Sequence, residues 1–355
     1  MDALTFIISK SRPPKAWSEV FGEYGYTPQY KNATLYIPKG CRRQYEKTNG
    51  WNLFERIVEV DDIDNIPSFK RKVVVEEGTG TWCGWCPRGI VGLRETFERH
   101  PDDFIPIAVH VQDEMYTDDY MPLIEQKFGN YPICIMNRRY VFDPNAEAIE
   151  YYFGIGSETS NAAIKMSAQW VDETKKEVKV NTATSFAYDM PDDYRIAYVI
   201  TENKVGPYSQ VNYYSGGSGG EMGGFENEPN KVSIYFDHVA RSISNVNGTR
   251  RTVPEGPLGG EVYQYSHVLE IPDNVQNIEN IELTVLLINQ ETLFIENADR
   301  ISMKDILGHD ATIVRSIPSS VTNEEKWYTL NGQVMSDRPR KKGVYVRGRE
   351  KIIVK

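Results

Sequence analysis

The sequence has little cysteine, no long hydrophobic run and no excess of positive charge, and each shortage excludes a class of protein. Four cysteines in 355 residues are too few for a disulfide framework that holds the whole chain together. No apolar run approaches the roughly 18 residues of a membrane-spanning helix. Lys and Arg number 40 against 50 Asp and Glu, a net charge of −10. Nucleic-acid binding is therefore not expected, because no surplus of cations is present to displace phosphate counterions.

A signal peptide is also absent, because the first residues include no basic segment followed by an apolar one. Either the protein is cytoplasmic, or an export signal has been removed and replaced by Met1. The composition favours export, since the chain has 22 tyrosines and is rich in Asn, Ser, Thr and Gly, as many extracytoplasmic proteins are.

The chain does contain enough apolar sequence for several cores. Hydrophobic residues make up 40% of it and aromatic residues 12%, and the length suggests two or three domains. Residues 67–150 alternate strands with helices, which predicts a mainly parallel sheet, whereas residues 151–305 have a period of two, which predicts an antiparallel β-sandwich. Residues 1–66 are an irregular, repeat-like unit and residues 306–355 a short basic β module. The predicted fold class is therefore multidomain α/β plus all-β.

Two of the cysteines form a pair with chemical meaning, Cys83-Gly-Trp-Cys86, between a predicted strand and a predicted helix. The free N–H groups and the dipole of a helix N-terminus favour an anion, which lowers the pKa of the first thiol. The second thiol, three residues later, can reach the first sulfur and close a disulfide. The pair therefore predicts thiol–disulfide exchange, in which Cys83 attacks as a thiolate and Cys86 resolves the mixed disulfide.

Zinc binding is the alternative interpretation of this pair. Structural zinc sites usually combine two Cys-x-x-Cys or Cys/His half-sites. Cys41 and Cys134 are isolated, and the five histidines lack paired metal spacing. We therefore predict dithiol chemistry with no metal and no cofactor.

A second part of the pattern is Tyr131-Pro132, which precedes a predicted strand from Ile133 to Phe142. Pro132 lies 46 residues after Cys86, where thioredoxin folds place a cis-proline that faces the dithiol. An ordinary trans turn proline is the alternative, but the Trp-Cys-x-x-Cys sequence after a strand favours the cis form.

These segments together resemble the thioredoxin domain and the β-sandwich of a Bacteroidetes family related to a 28-kilodalton outer-membrane protein. The resemblance covers roughly residues 70–303 and implies an exported protein of the cell envelope, in the periplasm or at the outer membrane or cell surface. It implies membrane attachment only through a lipid anchor that this chain does not carry. The resembling segments are Val74–Gly89, Tyr131-Pro132, Asn137-Arg138, Gln210–Tyr214, Asp237–Arg241 and Val285–Asn297.

The resemblance also implies a thioredoxin-like fold for residues 67–150 and a groove that holds a substrate chain beside the dithiol. Pro132 and the backbone of Tyr131 would line this groove, and the predicted contact residues around it are Trp82, Gly84, Trp85 and Tyr131.

The N-terminal unit carries a separate resemblance, to the last repeat of BspA-type leucine-rich-repeat surface proteins. The residues that carry it are Ala33–Tyr45, Gly50-Trp51, Phe54 and Ile57–Glu59. A single solenoid repeat cannot bury both of its faces. We therefore expect residues 1–66 to pack against residues 67–150 and to leave the helix-opening face of Cys83 free.

Resolution by Cys86 requires a base, because a buried thiol has a raised pKa and must lose its proton before it attacks. Thioredoxin-like sites often place a carboxylate beneath this sulfur, on the strand that leads into the motif. Glu76 and Glu77 are the candidates, and strand alternation sends them to opposite faces. Glu77 has the spacing of the buried acid of thioredoxins, so we predict that it is the general base. The alternative is that Glu77 is solvated or ion-paired at the strand end.

The predicted function is thiol–disulfide oxidoreduction outside the cytoplasm, on protein substrates and with an unidentified redox partner. The rival is a surface binding or adhesion protein that uses the thioredoxin domain as a scaffold, since a fold does not determine a function. Neither proline nor histidine stands between the cysteines, so oxidation, reduction and isomerisation stay open. Cys134 is either a buried bystander or a third redox thiol.

Overall fold

The computed structural model describes residues 6–10, 12–13, 30, 33–64 and 68–306, and the backbone of four short strands within residues 327–354. Over this part of the chain the expected mixture of α/β and antiparallel β structure is confirmed, because sheets dominate and the helices are few. None of the described helices combines the length and the apolarity that crossing a bilayer requires.

The N-terminal unit is a small parallel sheet. Its elements are β1 (Phe6–Ile8), β2 (Thr34–Pro38), α1 (Arg42–Tyr45) and β3 (Arg56–Val60). Strand β2 lies between the other two, with Thr34 paired to both Phe6 and Arg56. A helix was expected to continue from α1 to Asn49, but α1 ends at Tyr45, whose ring packs into the core of the unit.

Residues 67–150 form a parallel strand pair followed by an antiparallel hairpin. The elements are β4 (Val73–Thr79), α2 (Pro87–Arg99), β5 (Phe104–His110), α3 (Met121–Lys127), β6 (Ile133–Met136), β7 (Tyr140–Phe142) and α4 (Ala146–Gly156). Every residue of β4 and β5 is buried, as expected for parallel strands covered on both faces.

Two features of this region differ from the sequence-based expectation. The single strand expected from Ile133 to Phe142 is a hairpin, because Asn137 and Arg138 both have positive φ and reverse the chain. Helix α4 was not predicted, since its glycines and aromatic residues have modest helix propensity. Its start is stabilised by the side chain of Asn145, which accepts a hydrogen bond from the backbone N–H of Ala148 at 2.7 Å.

The next part of the chain is almost entirely β. Its elements are β8 (Ala162–Trp170), β9 (Glu177–Phe186), β10 (Tyr194–Glu202), β11 (Val205–Val211), β12 (Lys231–Phe236), β13 (Val239–Ile243), β14 (Val262–Glu270), β15 (Ile281–Asn289), β16 (Ile295–Ser302) and the one-turn helix α5 (Met303–Ile306). A turn at His238, where φ is positive, separates β12 from β13.

One sheet of eight strands joins the two central regions, in the order β16-β15-β10-β13-β5-β4-β6-β7. The junction is the parallel pairing of β13 with β5, where Val239 lies beside Ala108 and the N–H of Ala108 donates to the carbonyl of His238 at 2.8 Å. The predicted domains 67–150 and 151–305 therefore share a hydrogen-bonded sheet.

The β-sandwich is completed by a second sheet, β14-β9-β8. Its inner side chains pack on those of β10 and β15 in one core, which includes Ile164, Val180, Tyr198 and Val285. Alternation along β14, where the residues that face this core are less exposed than their neighbours, is the pattern that a half-buried antiparallel strand produces.

Among the described residues, the core of the N-terminal unit continues into the sandwich, whereas the unit was expected to pack against residues 67–150. Tyr36 and Val58 belong to the same buried core as the sandwich strands. The hydroxyl of Tyr36 hydrogen-bonds that of Tyr188 and accepts from Nδ2 of Asn161 at 2.8 Å. The sandwich thus covers the side of the unit that includes Tyr36 and Val58.

The tail contains four antiparallel strands in the order β18-β17-β19-β20. The strands are β17 (Trp327–Thr329), β18 (Val334–Met335), β19 (Gly343–Arg347) and β20 (Glu350–Val354). Within the expected β module over residues 306–355, the described strands thus form three antiparallel pairings, β17 with β18, β17 with β19 and β19 with β20. Apart from Ile306, the remainder of that range lies outside the described residues.

Replacing Arg138 by methionine is expected to lower the free energy of unfolding by about 3–5 kcal/mol, because a buried carboxylate is left without its partner. Arg138 is 3% exposed and donates from Nε and Nη2 to the two carboxylate oxygens of Glu76, at 2.8 and 2.7 Å. Urea denaturation measures the loss. The control is Arg139→Met, since Arg139 has no ion pair within the described residues and its guanidinium lies over the rings of Tyr140 and Phe294. Equal losses in the two variants would contradict the importance of the pair.

Candidate active site

The cysteine pair forms a disulfide in the turn that joins β4 to α2. Cys83 and Cys86 are bonded to each other, with their Cα atoms 5.3 Å apart. Cys86 is the N-cap of α2, and Pro87 is the first helical residue, where a missing N–H is tolerated. Cys83 is 6% exposed and Cys86 is fully buried. The more accessible sulfur is therefore the one to which the sequence assigns attack.

The side chains of Trp82 and Tyr131 lie beside this turn, near the C-terminal end of β5. Trp82 is 44% exposed, and its Nε1 donates to the carbonyl of Val111 at 2.7 Å. Its ring meets that of Tyr131 edge to face, with centroids 5.5 Å apart. The Tyr131–Pro132 peptide bond is cis, which confirms the expected geometry. The structure thus brings the segment before β6 to the tryptophan of the motif.

A third element reaches the motif and was not predicted to do so: the arm, which we define as β11, β12 and the glycine-rich loop between them, residues 205–236. Its backbone N–H groups at Val211 and Tyr213 donate to the carbonyls of Thr81 and Gly84 at 2.8 and 2.9 Å. The buried side chain of Gln210 donates from Nε2 to the carbonyl of Cys83 at 2.8 Å. The arm therefore runs along the motif and holds three of its carbonyls.

Aromatic residues of the arm cover the dipeptide between the two cysteines. The ring of Tyr213 lies so close to Gly84 that a Cβ at that residue would overlap it. Trp85 contacts Tyr213 and Tyr214 edge to face, with ring centroids 5.5 and 5.4 Å apart. Glycine is required between the cysteines because of this contact. The residues of the arm lie more than 120 positions away in sequence, so only the resemblance at Gln210–Tyr214 signalled them.

The two glutamates of β4 lie on opposite faces of the sheet, as strand alternation predicts. Glu76 is paired with Arg138. Glu77 points toward α2, where its carboxylate touches the Cα of Gly89 and leaves no room for a Cβ. The N–H of Gly89 donates to the carbonyl of Cys86 at 3.0 Å. The Glu77 carboxylate therefore lies beneath the same first helical turn as the buried sulfur.

Glu77 is 1% exposed, and neither of its carboxylate oxygens has a hydrogen-bond partner within the described residues. Burial raises the pKa of Glu77 to about 8, and the nearby Arg88 guanidinium opposes the shift only in part. Arg88 is itself held by Asp143 through two hydrogen bonds of 2.7 and 2.6 Å. A carboxyl group with this pKa can accept and return a proton near neutral pH.

Cys134 lies on β6 directly opposite Glu77 in the antiparallel pairing. It is fully buried, and burial, together with the nearby Glu77 carboxylate, raises the pKa of its thiol well above the ordinary value. Such a thiol is a poor nucleophile. Within residues 6–306 as far as they are described, no three His, Cys, Asp or Glu side chains are grouped as metal ligands.

Replacing Tyr213 by alanine is expected to increase several-fold the rate at which a bulky maleimide alkylates Cys83 in the reduced protein. The variant removes the ring that packs on Gly84 and opens the side of the motif next to Cys83. Mass spectrometry of the quenched protein measures the rate. Tyr235→Ala is the matched control, since Tyr235 is on the same arm and is 60% exposed. If both variants react at the rate of the parent protein, the arm does not restrict access.

Comparisons with known proteins give a likeness in fold. No family model and no curated protein matches the sequence. The chain is similar to the solved structure of HBP35 of Porphyromonas gingivalis, a Bacteroidetes protein, with a TM-score of 0.52 and 16% identity over 81% of this chain and 100% of that one. A structural-genomics protein from Agrobacterium tumefaciens has a TM-score of 0.39 and 16% identity, over 69% and 98% of the two chains, which is too low to support an argument. The first likeness supports the link to Bacteroidetes proteins at the level of the fold.

Proposed function

We propose that the protein is a thiol–disulfide oxidoreductase that acts on protein disulfides through Cys83 and Cys86. The observation that carries the proposal is the pair itself: a disulfide at the N-terminus of α2, with Cys83 6% exposed and Cys86 fully buried. The carboxylate of Glu77, which has no hydrogen-bond partner within the described residues, packs against Gly89 in the same helical turn. This arrangement matches what thiol–disulfide exchange requires.

In the reductive direction, the Cys83 thiolate attacks one sulfur of a substrate disulfide and releases the other as a thiolate. The N-terminus of α2 stabilises the Cys83 anion before attack. Cys86 then transfers its proton to Glu77 and attacks the Cys83 sulfur, which breaks the bond to the substrate and re-forms the Cys83–Cys86 disulfide. A dithiol donor, the unidentified redox partner, returns the protein to its reduced form, and no cofactor takes part.

The substrate chain would lie across the motif, between Trp82 with Tyr131 on one side and Trp85 with the arm on the other. Trp82 and Trp85 are each 44% exposed, which is unusual for residues of this size. Exposed rings with fixed backbone carbonyls beside them suit an extended peptide. Pro132, adjacent to Tyr131, would form the floor of this groove.

We further propose a thioredoxin-like fold for residues 67–150 and a leucine-rich-repeat origin for the N-terminal unit. Three features support the first proposal. The β4–α2–β5 unit is parallel, β6 and β7 form an antiparallel hairpin, and α4 lies on the same side of the sheet as α2. The 22-residue offset between paired Thr34 and Arg56 supports the second, because leucine-rich repeats have 20–29 residues. The likeness to a Bacteroidetes protein also supports a place in the cell envelope.

The proposal is tested by the reduction of insulin with dithiothreitol as the dithiol donor, followed by turbidity. The protein is expected to accelerate the reaction, and the double variant C83S/C86S is expected to leave it at the background rate. If the parent protein and the double variant give the same rate, the proposal fails. In that case a scaffold in a surface binding or adhesion protein becomes the better interpretation.

A further inference from the structure

A cavity of about 580 Å³ lies beneath α2, on the face of β4 and β5 that includes Glu77. Two residues of β4, Glu77 and Thr79, and two of β5, Ala108 and His110, form its inner wall. Thr79 is paired with His110 and Glu77 with Ala108 in the parallel register. Glu77 and His110 are therefore diagonal neighbours on one face of the sheet, about 7–8 Å apart between Cα atoms.

Four buried polar atoms on this wall have no hydrogen-bond partner within the described residues: both carboxylate oxygens of Glu77, Oγ1 of Thr79 and Nε2 of His110. A buried polar atom without a partner costs about 1–3 kcal/mol. Water satisfies such atoms where it has room to bind. Water molecules admitted to this cavity would link Glu77, Thr79 and His110.

The opposite nitrogen of His110 has a strong partner. Its Nδ1 lies 2.7 Å from Oδ2 of Asp113, and both side chains are almost fully buried. Although burial raises the pKa of Asp113, hydrogen bonds from His110 and from the backbone N–H groups of Thr81 and Met115 hold it below the ordinary value. An ionised carboxylate only accepts, so Nδ1 is the donor, and Nε2, on the side of the cavity, has no hydrogen-bond partner within the described residues.

We propose that His110, held by Asp113, accepts through water the proton that Glu77 takes from Cys86, and passes it to solvent through the cavity. This inference rests on the proposed function. His110 acts through Glu77 and does not touch the sulfurs, so it is a positioning residue for the proton path. In the resolving step, Cys86 loses H⁺ to Glu77, the Cys83–substrate S–S bond breaks, the Cys83–Cys86 bond forms, and the substrate leaves as a thiolate. The proton on Glu77 then moves to Nε2 of His110.

The mouth of the cavity is exposed and carries both signs of charge. Arg94 and Glu98 of α2, Lys204 after β10 and Asp237 after β12 are exposed at its rim. Four more titratable groups line the cavity from its other elements: His238, Glu279, Glu282 and Lys304. Nδ1 of His238 lies 3.8 Å from Oε2 of Glu282. His238 directly precedes β13, which pairs with β5 at Ala108. The exposed residues at the rim open the cavity to solvent, whereas His110 is next to Thr79 on the wall that Glu77 shares.

The test is the rate at which Cys86 resolves a preformed mixed disulfide between Cys83 and a thionitrobenzoate group, followed by absorbance from pH 6 to 9. His110→Asn keeps a donor for Asp113 and removes the Nε2 acceptor. It is expected to slow resolution about tenfold, less than removal of the base itself, and added imidazole, which fits the cavity, is expected to restore the rate. His238→Asn, in the same cavity, is the control and is expected to resolve at the parent rate.

A parent-like rate and pH profile for His110→Asn would overturn the inference, and so would a loss that imidazole does not restore. If His110→Asn does not fold, Thr79→Val is the variant that tests the inference. It replaces the Thr79 hydroxyl by a methyl group of nearly the same shape. A slower resolution rate supports the water chain, whereas an unchanged rate overturns the inference. A failure of the proposed function is distinct, because the parent protein would then neither reduce insulin nor resolve the mixed disulfide.

Discussion

The Cys83→Ser variant is expected to lose about 10³-fold or more of the insulin-reduction rate, down to the uncatalysed level. The reason is that exchange requires a thiolate, and the only partly exposed sulfur of the pair belongs to Cys83. A serine hydroxyl in the same place does not ionise near neutral pH. The rate is measured with dithiothreitol as donor and with the variant checked for an unchanged melting temperature.

The Cys86→Ser variant is expected to behave differently, although it also stops turnover. Cys83 can still attack, so the variant should accumulate as a mixed disulfide with the substrate at close to one equivalent. Nonreducing electrophoresis and mass spectrometry measure the trapped complex, and Cys83→Ser is the matched control. Equal trapping by both variants would refute this assignment of roles.

The Glu77→Gln variant is expected to resolve the mixed disulfide about 10²-fold more slowly near neutral pH, while attack by Cys83 changes little. Glu77 lies beneath the first turn of α2 with a pKa of about 8, and only its ionised form accepts a proton. The rate of the parent protein should therefore rise with pH through about 8 and then level off. In the variant the rate should instead follow the hydroxide concentration.

The same substitution is expected to change stability with a definite sign. Between the ordinary carboxyl pKa of 4.5 and about 8, the unfolded chain is ionised while the folded chain keeps its proton. The parent protein therefore loses stability as the pH rises through this interval, and a glutamine does not. Melting temperatures at pH 4 should be similar, whereas at pH 9 Glu77→Gln should melt at the higher temperature.

The matched control for both measurements is Glu76→Gln on the opposite face of β4. This variant breaks the ion pair with Arg138 and is expected to lose stability at every pH at which the carboxylate is ionised. It should keep the parent pH profile of resolution. If Glu76→Gln slows resolution as much as Glu77→Gln does, or if Glu77→Gln resolves at the parent rate, Glu77 is not the base.

Features that depend on neighbouring residues could be predicted from the sequence. The turn of Cys83–Cys86 between a strand and a helix, Pro87 in the first turn and the opposite directions of Glu76 and Glu77 all follow from local geometry. The period of two after residue 150 likewise predicted most of the sandwich strands. The hairpin after Pro132 was missed because the polar residues 137–139 include neither glycine nor proline to mark a turn, although Asn137 and Arg138 both adopt positive φ.

By itself the sequence determined the Cys-x-x-Cys turn, the strand that carries Glu77 and the alternation of α/β with all-β structure, because hydrogen bonds and side-chain periodicity act over a few residues. The tertiary structure alone decided which pieces meet. Pairing of β13 with β5 joins two predicted domains into one sheet, the arm reaches the motif from beyond residue 204, and Arg138 neutralises Glu76 while Glu77 stays unpaired. These contacts depend on the burial of surfaces far apart in the chain, which no local pattern specifies.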